Sequence, residues 1–259
     1  MTHQTGSDLF SLQGKVAIIT GGSGALGSSL AEGLATHGCN VVVTGRTMST
    51  LTKVVAKIQS LGQEALGVSC DVMSEEENDE VVRQTMKKFG RIDILLTAAG
   101  IARRAPAENF PVDEFNLVMD INVKGTFLAC KSVSKVMIQQ KFGKIITVSS
   151  VRGLLGHSGG YAAYGTSKGA VTLLTRQLAT EWAKYKINVN CIAPTIFWTP
   201  LTSEVLQDEK LKEGFLSRIP MGRAAVVDDM KGAAIFFASS ASDFITGQIL
   251  YVDGGCTAG

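Results

Sequence analysis

The chain has 259 residues, with 25 Lys and Arg against 23 Asp and Glu, a formal charge of +2 and 19% charged residues. This balance leaves no basic block for nucleic acid and no cationic amphipathic stretch for a membrane surface. No apolar run reaches the ~18 residues needed to cross a bilayer, and Met1–Gln13 lacks the basic start and long apolar core of a signal peptide.

In chain order, short β-branched runs alternate with helical patterns. The spacing predicts strands at Lys15–Thr20, Val41–Thr44, Ala65–Val68, Asp93–Leu96, Lys144–Val148, Asn188–Cys191 and Gln248–Val252. Most are continuous apolar runs, the pattern of parallel strands buried on both faces. Helical periodicity fills the intervals at Ala25–Thr36, Ser49–Leu61 and Ser74–Phe89, and longer helices are expected at Val112–Thr126 and Ala163–Ala183. Alternation of this kind predicts an α/β fold: one doubly wound (Rossmann-type) parallel sheet with helices on both faces. No linker or repeat divides the chain, so residues 1–259 read as one dinucleotide-binding and catalytic domain, with 1–12 as an N-terminal extension.

The first strand runs into Thr20-Gly21-Gly22-Ser23-Gly24-Ala25-Leu26-Gly27, and a helix follows. Glycines there allow a tight turn and a close backbone approach to a pyrophosphate, while the helix N-terminus offers amide N–H groups and a positive dipole end. Gly21, Ser23, Gly24, Leu26 and Gly27 are therefore candidate cofactor contacts. Where the second strand ends, Gly45 stands in the place of the acid that suits the ribose 2′-OH of NAD, and Arg46 and Thr47 follow. An Arg suits the 2′-phosphate of NADP, so NADP(H) is the expected cofactor and NAD(H) the alternative. A solvated Arg at a strand end is the structural reading of the same residue, and the turn supplies no second basic residue.

Tyr164 and Lys168 stand four residues apart in a helical run, which puts both side chains on one face. An ammonium near the phenol is expected to lower its pKa towards the neutral range, as an acid/base group requires.

Together with these two motifs, the rest of the sequence resembles the short-chain dehydrogenase/reductase family from Gly14 to Gly255. The carrying residues are Thr20-Gly21…Gly27, Cys70-Asp71-Val72, Thr97-Ala98-Ala99-Gly100, Asn122, Ser149-Ser150, Tyr164…Lys168, Ala193-Pro194 and Val252-Asp253-Gly254-Gly255. Two further segments, Ala99 to Pro106 and Ala241 to Gln248, resemble its gluconate 5-dehydrogenase-like branch. The resemblance implies that Tyr164 exchanges a proton with the substrate oxygen, Lys168 lowers its pKa and bonds the nicotinamide ribose, and Ser150 holds the reacting oxygen. It implies that Asn122 holds a water linking Lys168 to solvent. Asp71 and Val72 would contact adenine, Ala99 and Gly100 would line the cofactor site, and Pro194 and Thr199 would lie by the nicotinamide amide. Structural readings stand beside these: Ser150 as a strand-end cap with Ser149 as a competitor, Asn122 as a helix-bending residue, and Asp71 as a loop cap.

Departures from the family pattern are Ala25 for a glycine, Thr195 for a glycine, a gap between Ser150 and Tyr164 one residue longer than usual, and Thr97 for an asparagine. The Thr97 hydroxyl is expected to tie neighbouring strands. The substrate end is expected over the C-terminal strand ends, between the loop after Gly100, the Arg152–Tyr161 loop and the segment from Thr195 to about Leu216. Arg104, Arg152, His157, Tyr161 and Trp198 are the candidate substrate contacts, with Arg103 and Phe197 considered beside them. Arginines there suit a carboxylate.

The resulting expectation is an NAD(P)-dependent oxidoreductase interconverting a secondary alcohol and a ketone on a sugar acid or polyol. The alternative is a 3-oxoacyl-thioester reductase, and a remote one a catalytically silent dinucleotide-binding regulator. No metal is expected. The partner is a small hydroxy or oxo substrate, with no nucleic acid and no membrane, and the long helices resemble those that pair subunits into homotetramers or homodimers. Five scattered cysteines without a Cys-x-x-Cys read as reduced thiols of a cytoplasmic protein.

Overall fold

Seven apolar runs pair in parallel into a single sheet: β1 Val16–Thr20, β2 Asn40–Gly45, β3 Ala65–Ser69, β4 Ile94–Thr97, β5 Gly143–Val148, β6 Ile187–Pro194 and β7 Ile249–Val252. Their order across the sheet is β3-β2-β1-β4-β5-β6-β7. The architecture comes from a computed structural model that describes residues 9–199, 202–203 and 207–259. Residues 1–8 of the expected N-terminal extension lie outside them. β1, β4 and β5 are buried along their whole length, which is why they read as unbroken apolar runs. The edge strands β3 and β7 keep partly exposed positions.

Eight α-helices cover the sheet among the described residues: α1 Ala25–Ala35, α2 Met48–Ser60, α3 Glu75–Phe89, α4 Val112–Met119, α5 Gly125–Gln140, α6 Ala162–Trp182, α7 Glu209–Leu216 and α8 Lys231–Ala238. Leu30 and Leu34 of α1, Leu51 of α2 and Ile235 of α8 pack on one face, and Val81 of α3, Val133 of α5 and Leu178 of α6 on the other. Local chemistry sets the helix ends. Ser74 caps α3 by accepting from the Glu77 N–H at 3.2 Å. Three glutamates fill the first turn, Lys87 and Lys88 the last, and left-handed Gly90 (φ 71°) stops it.

The helix expected over Val112–Thr126 instead runs through α4, a π turn at Asp120–Lys124 and α5. The wider turn sits at Asn122 and brings its side chain towards the strand ends. The sheet reverses its winding between β1 and β4, the place where such sheets bind ligands.

The opposite end of the sheet is pinned by a buried carboxylate. Asp93 accepts from the Val16 N–H at 3.0 Å and from the Arg91 guanidinium through two bonds of 2.7 Å, with Lys15 at 3.8 Å. Its backbone bonds both β1 and β5, N–H to Val16 and carbonyl from Lys144. One residue therefore registers three central strands. Asp93→Ala is expected to lose about 2–4 kcal/mol of stability, because the Val16 amide loses its partner and the bridge its acceptor. Urea unfolding with circular dichroism checks this, and an unchanged midpoint would refute the assignment.

Candidate active site

The turn between β1 and α1 meets the end of β4 closely. Gly21 has φ +64°, and a Cβ there would lie 2.7 Å from the Ala99 amide nitrogen, so only glycine lets these two backbones approach. A side chain at Gly27 would collide with the Gly21 carbonyl. α1 starts at Gly24 with no capping side chain and no acid in its first turn, leaving amide donors for an anion. A cavity of about 300 Å³ opens here, lined by Ser23, Gly24, Arg46, Asp71, Val72 and Gly100. Arg46 makes no ion pair among the described residues. A glycine cradle, free helix amides and an unpaired guanidinium at the far end suit a phosphorylated dinucleotide.

The remaining expected cofactor contacts distribute differently. Asp71 and Val72 line the cavity, and Asp71 also closes its own loop, accepting from the Met73 N–H at 2.9 Å. Leu26 packs against the core beside the turn. Thr47 stands at the start of α2, immediately after Arg46. Pro194 ends β6 and its carbonyl accepts from the Ser150 hydroxyl at 3.4 Å. The Thr199 hydroxyl is 3.1 Å from that of Thr202.

The next group hangs from the β5–α6 junction. Ser149 is spent on structure: it donates to the Lys168 carbonyl at 2.7 Å and meets the Thr172 hydroxyl at 2.9 Å. Ser150 points the other way, into a second cavity, and accepts from the Arg152 N–H at 3.1 Å. Tyr164 lines that cavity as well. Lys168, one turn on, is buried and donates to the Val148 carbonyl at 2.8 Å, with its Nζ 5.7 Å from the centre of the Tyr164 ring.

Electrostatics here correct the expectation drawn from spacing. Tyr164 is pushed above the ordinary phenol range by burial, which outweighs the opposing hydrogen bond from Ser150 and the charge of Arg152. Lys168 is not among the groups that offset this burial, and burial penalises its own ammonium as well, lowering it to about 8. The two groups share a face, as expected, but desolvation rather than their mutual attraction sets both.

Asn122 is buried in the π turn. Its Oδ1 accepts from the Ile101 N–H at 2.8 Å, and its Nδ2 donates to the Ile101 carbonyl and the Ser167 hydroxyl, each at 2.9 Å. It thus fixes the segment after β4 beside α6. Ser167 and Ile101 had no distinguishing signal in the sequence, since their part depends on this long-range contact. Thr97 departs from expectation: its hydroxyl is buried without a partner among the described residues, and only its backbone ties β1 to β5.

The second cavity, about 350 Å³, is also lined by Arg104, Arg152, Tyr161 and Phe215. Arg103 turns aside to Glu114 at 2.9 Å, whereas Arg104 faces the Tyr161 ring at 5.7 Å. Arg152 donates to the Gly156 carbonyl at 3.3 Å, and neither Arg104 nor Arg152 has a carboxylate partner among the described residues. Of the expected substrate contacts, Trp198 lies outside this cavity's lining, its N–H bonded to the Ala225 carbonyl, and Phe197, considered beside it, is core. His157 stands behind the cavity, stacked on Phe215 at 5.2 Å and edge-on to Tyr161 at 5.3 Å. Burial and the nearby Arg152, Arg218 and Arg104 hold its pKa low. Sequence reading missed Phe215, whose helix is far from the motifs in the chain.

A family model described as enoyl-(acyl carrier protein) reductase matches residues 22–257. The chain is 38% identical over 250 residues to the gluconate 5-dehydrogenase of Gluconobacter oxydans (strain 621H), covering 96% of this chain and 97% of that one. It is 37% identical over 249 residues to the 5-keto-D-gluconate 5-reductase of Escherichia coli (strain K12), covering 96% and 98%. The crystal structure of a gluconate 5-dehydrogenase from Burkholderia cenocepacia J2315 in complex with NADP and tartrate superposes with a TM-score of 0.95. That chain is 36% identical, with 98% of this chain and 100% of that chain covered.

The Gly21 contact gives a direct check of the cradle. Gly21→Ala forces a left-handed backbone and a clash with the Ala99 amide, so NADPH affinity is expected to fall about tenfold or more. Fluorescence titration measures it, and wild-type affinity in a folded variant would remove the cradle from the argument.

Proposed function

The chain belongs to the short-chain dehydrogenase/reductase family, and on that premise we propose that it interconverts a secondary alcohol and a ketone on a sugar acid, with NADP(H) as its preferred cofactor. One observation carries the reading. Ser150 and Tyr164 line a cavity that Arg104 and Arg152 line without an acid partner among the described residues, while Arg103, also in its lining, is matched by Glu114. A carboxylate held by the two guanidiniums leaves a hydroxylated carbon chain along the cavity towards Tyr164. The neighbouring family members named for gluconate and ketogluconate support the acid, and the relative's complex with NADP supports the cofactor. Arg46 suits the 2′-phosphate.

When bound, the nicotinamide supplies or takes up a hydride at the reacting carbon. The residues handle the proton. In reduction Tyr164, held neutral by burial, donates its phenolic proton to the carbonyl oxygen, and Ser150 donates a hydrogen bond to that same oxygen. Lys168 keeps two N–H donors beyond its bond to Val148, for ribose hydroxyls, and its charge stabilises the phenolate that forms. Asn122, holding the Ile101 turn against Ser167, positions the wall beside Lys168. The assignment of a water to Asn122 belongs to this proposal too. In oxidation the same groups run in reverse, and Tyr164 must first be ionised.

We assign the protein to the cytoplasm as a homotetramer or homodimer. Its five cysteines are all free and buried, which suits a reducing compartment, and no helix of the described residues is long and apolar enough to cross a membrane. Phe127 on α5 and Leu173 on α6 are exposed apolar residues suited to a subunit contact. A monomeric mass in solution would overturn the assembly.

The sign of the pH dependence follows from the two shifts. Reduction needs neutral Tyr164 and cationic Lys168, so its kcat/KM is expected to fall as pH rises through about 8, where Lys168 loses its charge. Oxidation needs the phenolate, whose pKa is raised, so its rate is expected to keep climbing through the neutral range. Initial rates in both directions from pH 6 to 10 decide this; parallel profiles would contradict it.

The function itself is tested by following nicotinamide absorbance against sugar acids, polyols and 3-oxoacyl thioesters with both cofactors. Turnover of the acids is expected, lost by about 10³-fold or more in Tyr164→Phe with cofactor affinity retained. Arg46→Ala is expected to weaken NADPH binding about tenfold and NADH binding little. Wild-type turnover in the first variant, or unaltered NADPH affinity in the second, refutes the corresponding role.

A further inference from the structure

Three cavities follow one another along the segment after β4. Ala98–Ile101 borders the nucleotide cavity, Ala102–Arg104 the inner cavity with Ser150 and Tyr164, and Arg104–Glu108 an outer cavity of about 900 Å³. The outer cavity has no part in the mechanism above. Arg104, Arg152 and Tyr161 line it and the inner cavity alike, so the inner cavity opens past these three side chains on the side away from the cofactor.

We propose that the outer cavity is a second substrate subsite, and that the preferred substrate is a sugar acid bearing a further neutral glycosyl unit. The acid unit reacts at Tyr164 and the second unit sits in the outer cavity. This rests on the sugar-acid reading and extends it.

Size is the first argument. Pockets of about 300–1,000 Å³ take small-molecule ligands; the inner cavity at 350 Å³ lies near the bottom of that range and the outer one at 900 Å³ near the top. A single six-carbon acid leaves the outer space unused.

The second argument is that this space is built. Its two walls are the Ala102–Phe110 loop and the loop between Ser150 and Tyr164, the latter one residue longer than the family pattern. They are joined by the Ala105 N–H to Gly160 carbonyl bond at 3.2 Å. Gly160 has φ +74°, and a Cβ there would lie 2.6 Å from the Ala105 carbonyl oxygen, so only glycine allows the loops to meet. His157 is braced by the Gly159 N–H at 2.9 Å, by Phe215 and by Tyr161. That bond makes Nδ1 an acceptor in the neutral ring.

Chemistry selects the occupant. The exposed hydroxyls of Ser158 and Thr166 and the rings of His157 and Tyr161 line this cavity. An acyl chain makes no use of those hydroxyls, whereas a sugar meets both the hydroxyls and the rings. The cations are confined to the throat, where they hold the acid group. Glu108, without an ion pair among the described residues, lies on the outer wall and disfavours a second anion there.

The test compares D-gluconate with lactobionate, the same acid carrying a galactosyl group at O4, in NADP-dependent oxidation by the full chain. Wild type is expected to favour lactobionate in kcat/KM by about tenfold or more. Two variants fill the outer cavity. Gly156→Trp introduces its side chain where a Cβ meets nothing within 4 Å, and Thr166→Trp does so from the exposed face of α6. Each is expected to reduce the lactobionate-to-gluconate ratio about tenfold with an unchanged melting temperature. The subsite is overturned if wild type favours gluconate, or if both folded variants leave the ratio as it was. Turnover of neither acid beside turnover of a 3-oxoacyl thioester overturns the sugar-acid reading itself, and the subsite with it.

Discussion

The bond from the Lys168 ammonium to the Val148 carbonyl is the contact on which the site depends. It anchors the first turns of α6 to the last residue of β5. Ser149 reinforces the anchor by reaching the Lys168 carbonyl, and Gly153 allows it, since a Cβ there would lie 2.8 Å from the Lys168 carbonyl carbon. Once the helix is fixed in this way, helical geometry delivers Tyr164 to the cavity that Ser150 lines. The cost is the partial desolvation of an ammonium, visible as the drop of Lys168 to about 8. A neutral residue at that position would pack more cheaply, and the proposed role of the charge is to stabilise a phenolate.

Much of this was legible because it is local. The parallel sheet shows in unbroken apolar runs, α3 in its Ser74 cap and Gly90 stop, and the nucleotide cradle in glycines that follow a strand and precede a helix. Tyr164, Lys168 and Ser150 sit within nineteen positions on one strand–loop–helix unit, so their convergence follows from chain geometry. What the sequence hid is long-range or electrostatic. Asn122 meets Ile101 and Ser167 across 21 and 45 positions, and Phe215 reaches His157 from a helix beyond β6. The π turn has no compositional mark. Burial decided the Tyr164 pKa against the simple pairing argument, and burial is not written in a four-residue spacing. Trp198 and Phe197 looked alike in sequence as neighbours, yet one is exposed and the other is core.

Charge is sorted with the same economy at the two ends of the sheet. At the N-terminal ends of the strands, cations are matched: Arg91 and Lys15 with Asp93, and buried Lys144 with Asp243 at 2.8 Å. At the C-terminal ends, Arg103 is matched by Glu114 while Arg46, Arg104 and Arg152 are left without carboxylates among the described residues. A partly buried guanidinium without an anion is a standing electrostatic cost, and Arg152 shows it in a pKa lowered chiefly by burial. Matched charges hold the fold at one end, and the unmatched ones at the other are those the proposed function assigns to ligand.

The raised phenol and the lowered ammonium fit together better than either does alone. Had Lys168 driven Tyr164 to ionise in the empty site, the resting enzyme would hold a phenolate and an ammonium in mutual satisfaction, with no proton ready for a carbonyl. Burial opposes that by penalising both charges, so in the proposed mechanism the tyrosine keeps its proton until negative charge develops on the substrate oxygen. In the proposed mechanism the Lys168 ammonium, 5.7 Å from the centre of the Tyr164 ring, stabilises the phenolate as it forms. Catalysis requires this difference between ground state and transition state. In that mechanism the junction that buries Lys168 against the Val148 carbonyl and half-buries Tyr164 supplies it together with the Ser150 hydroxyl.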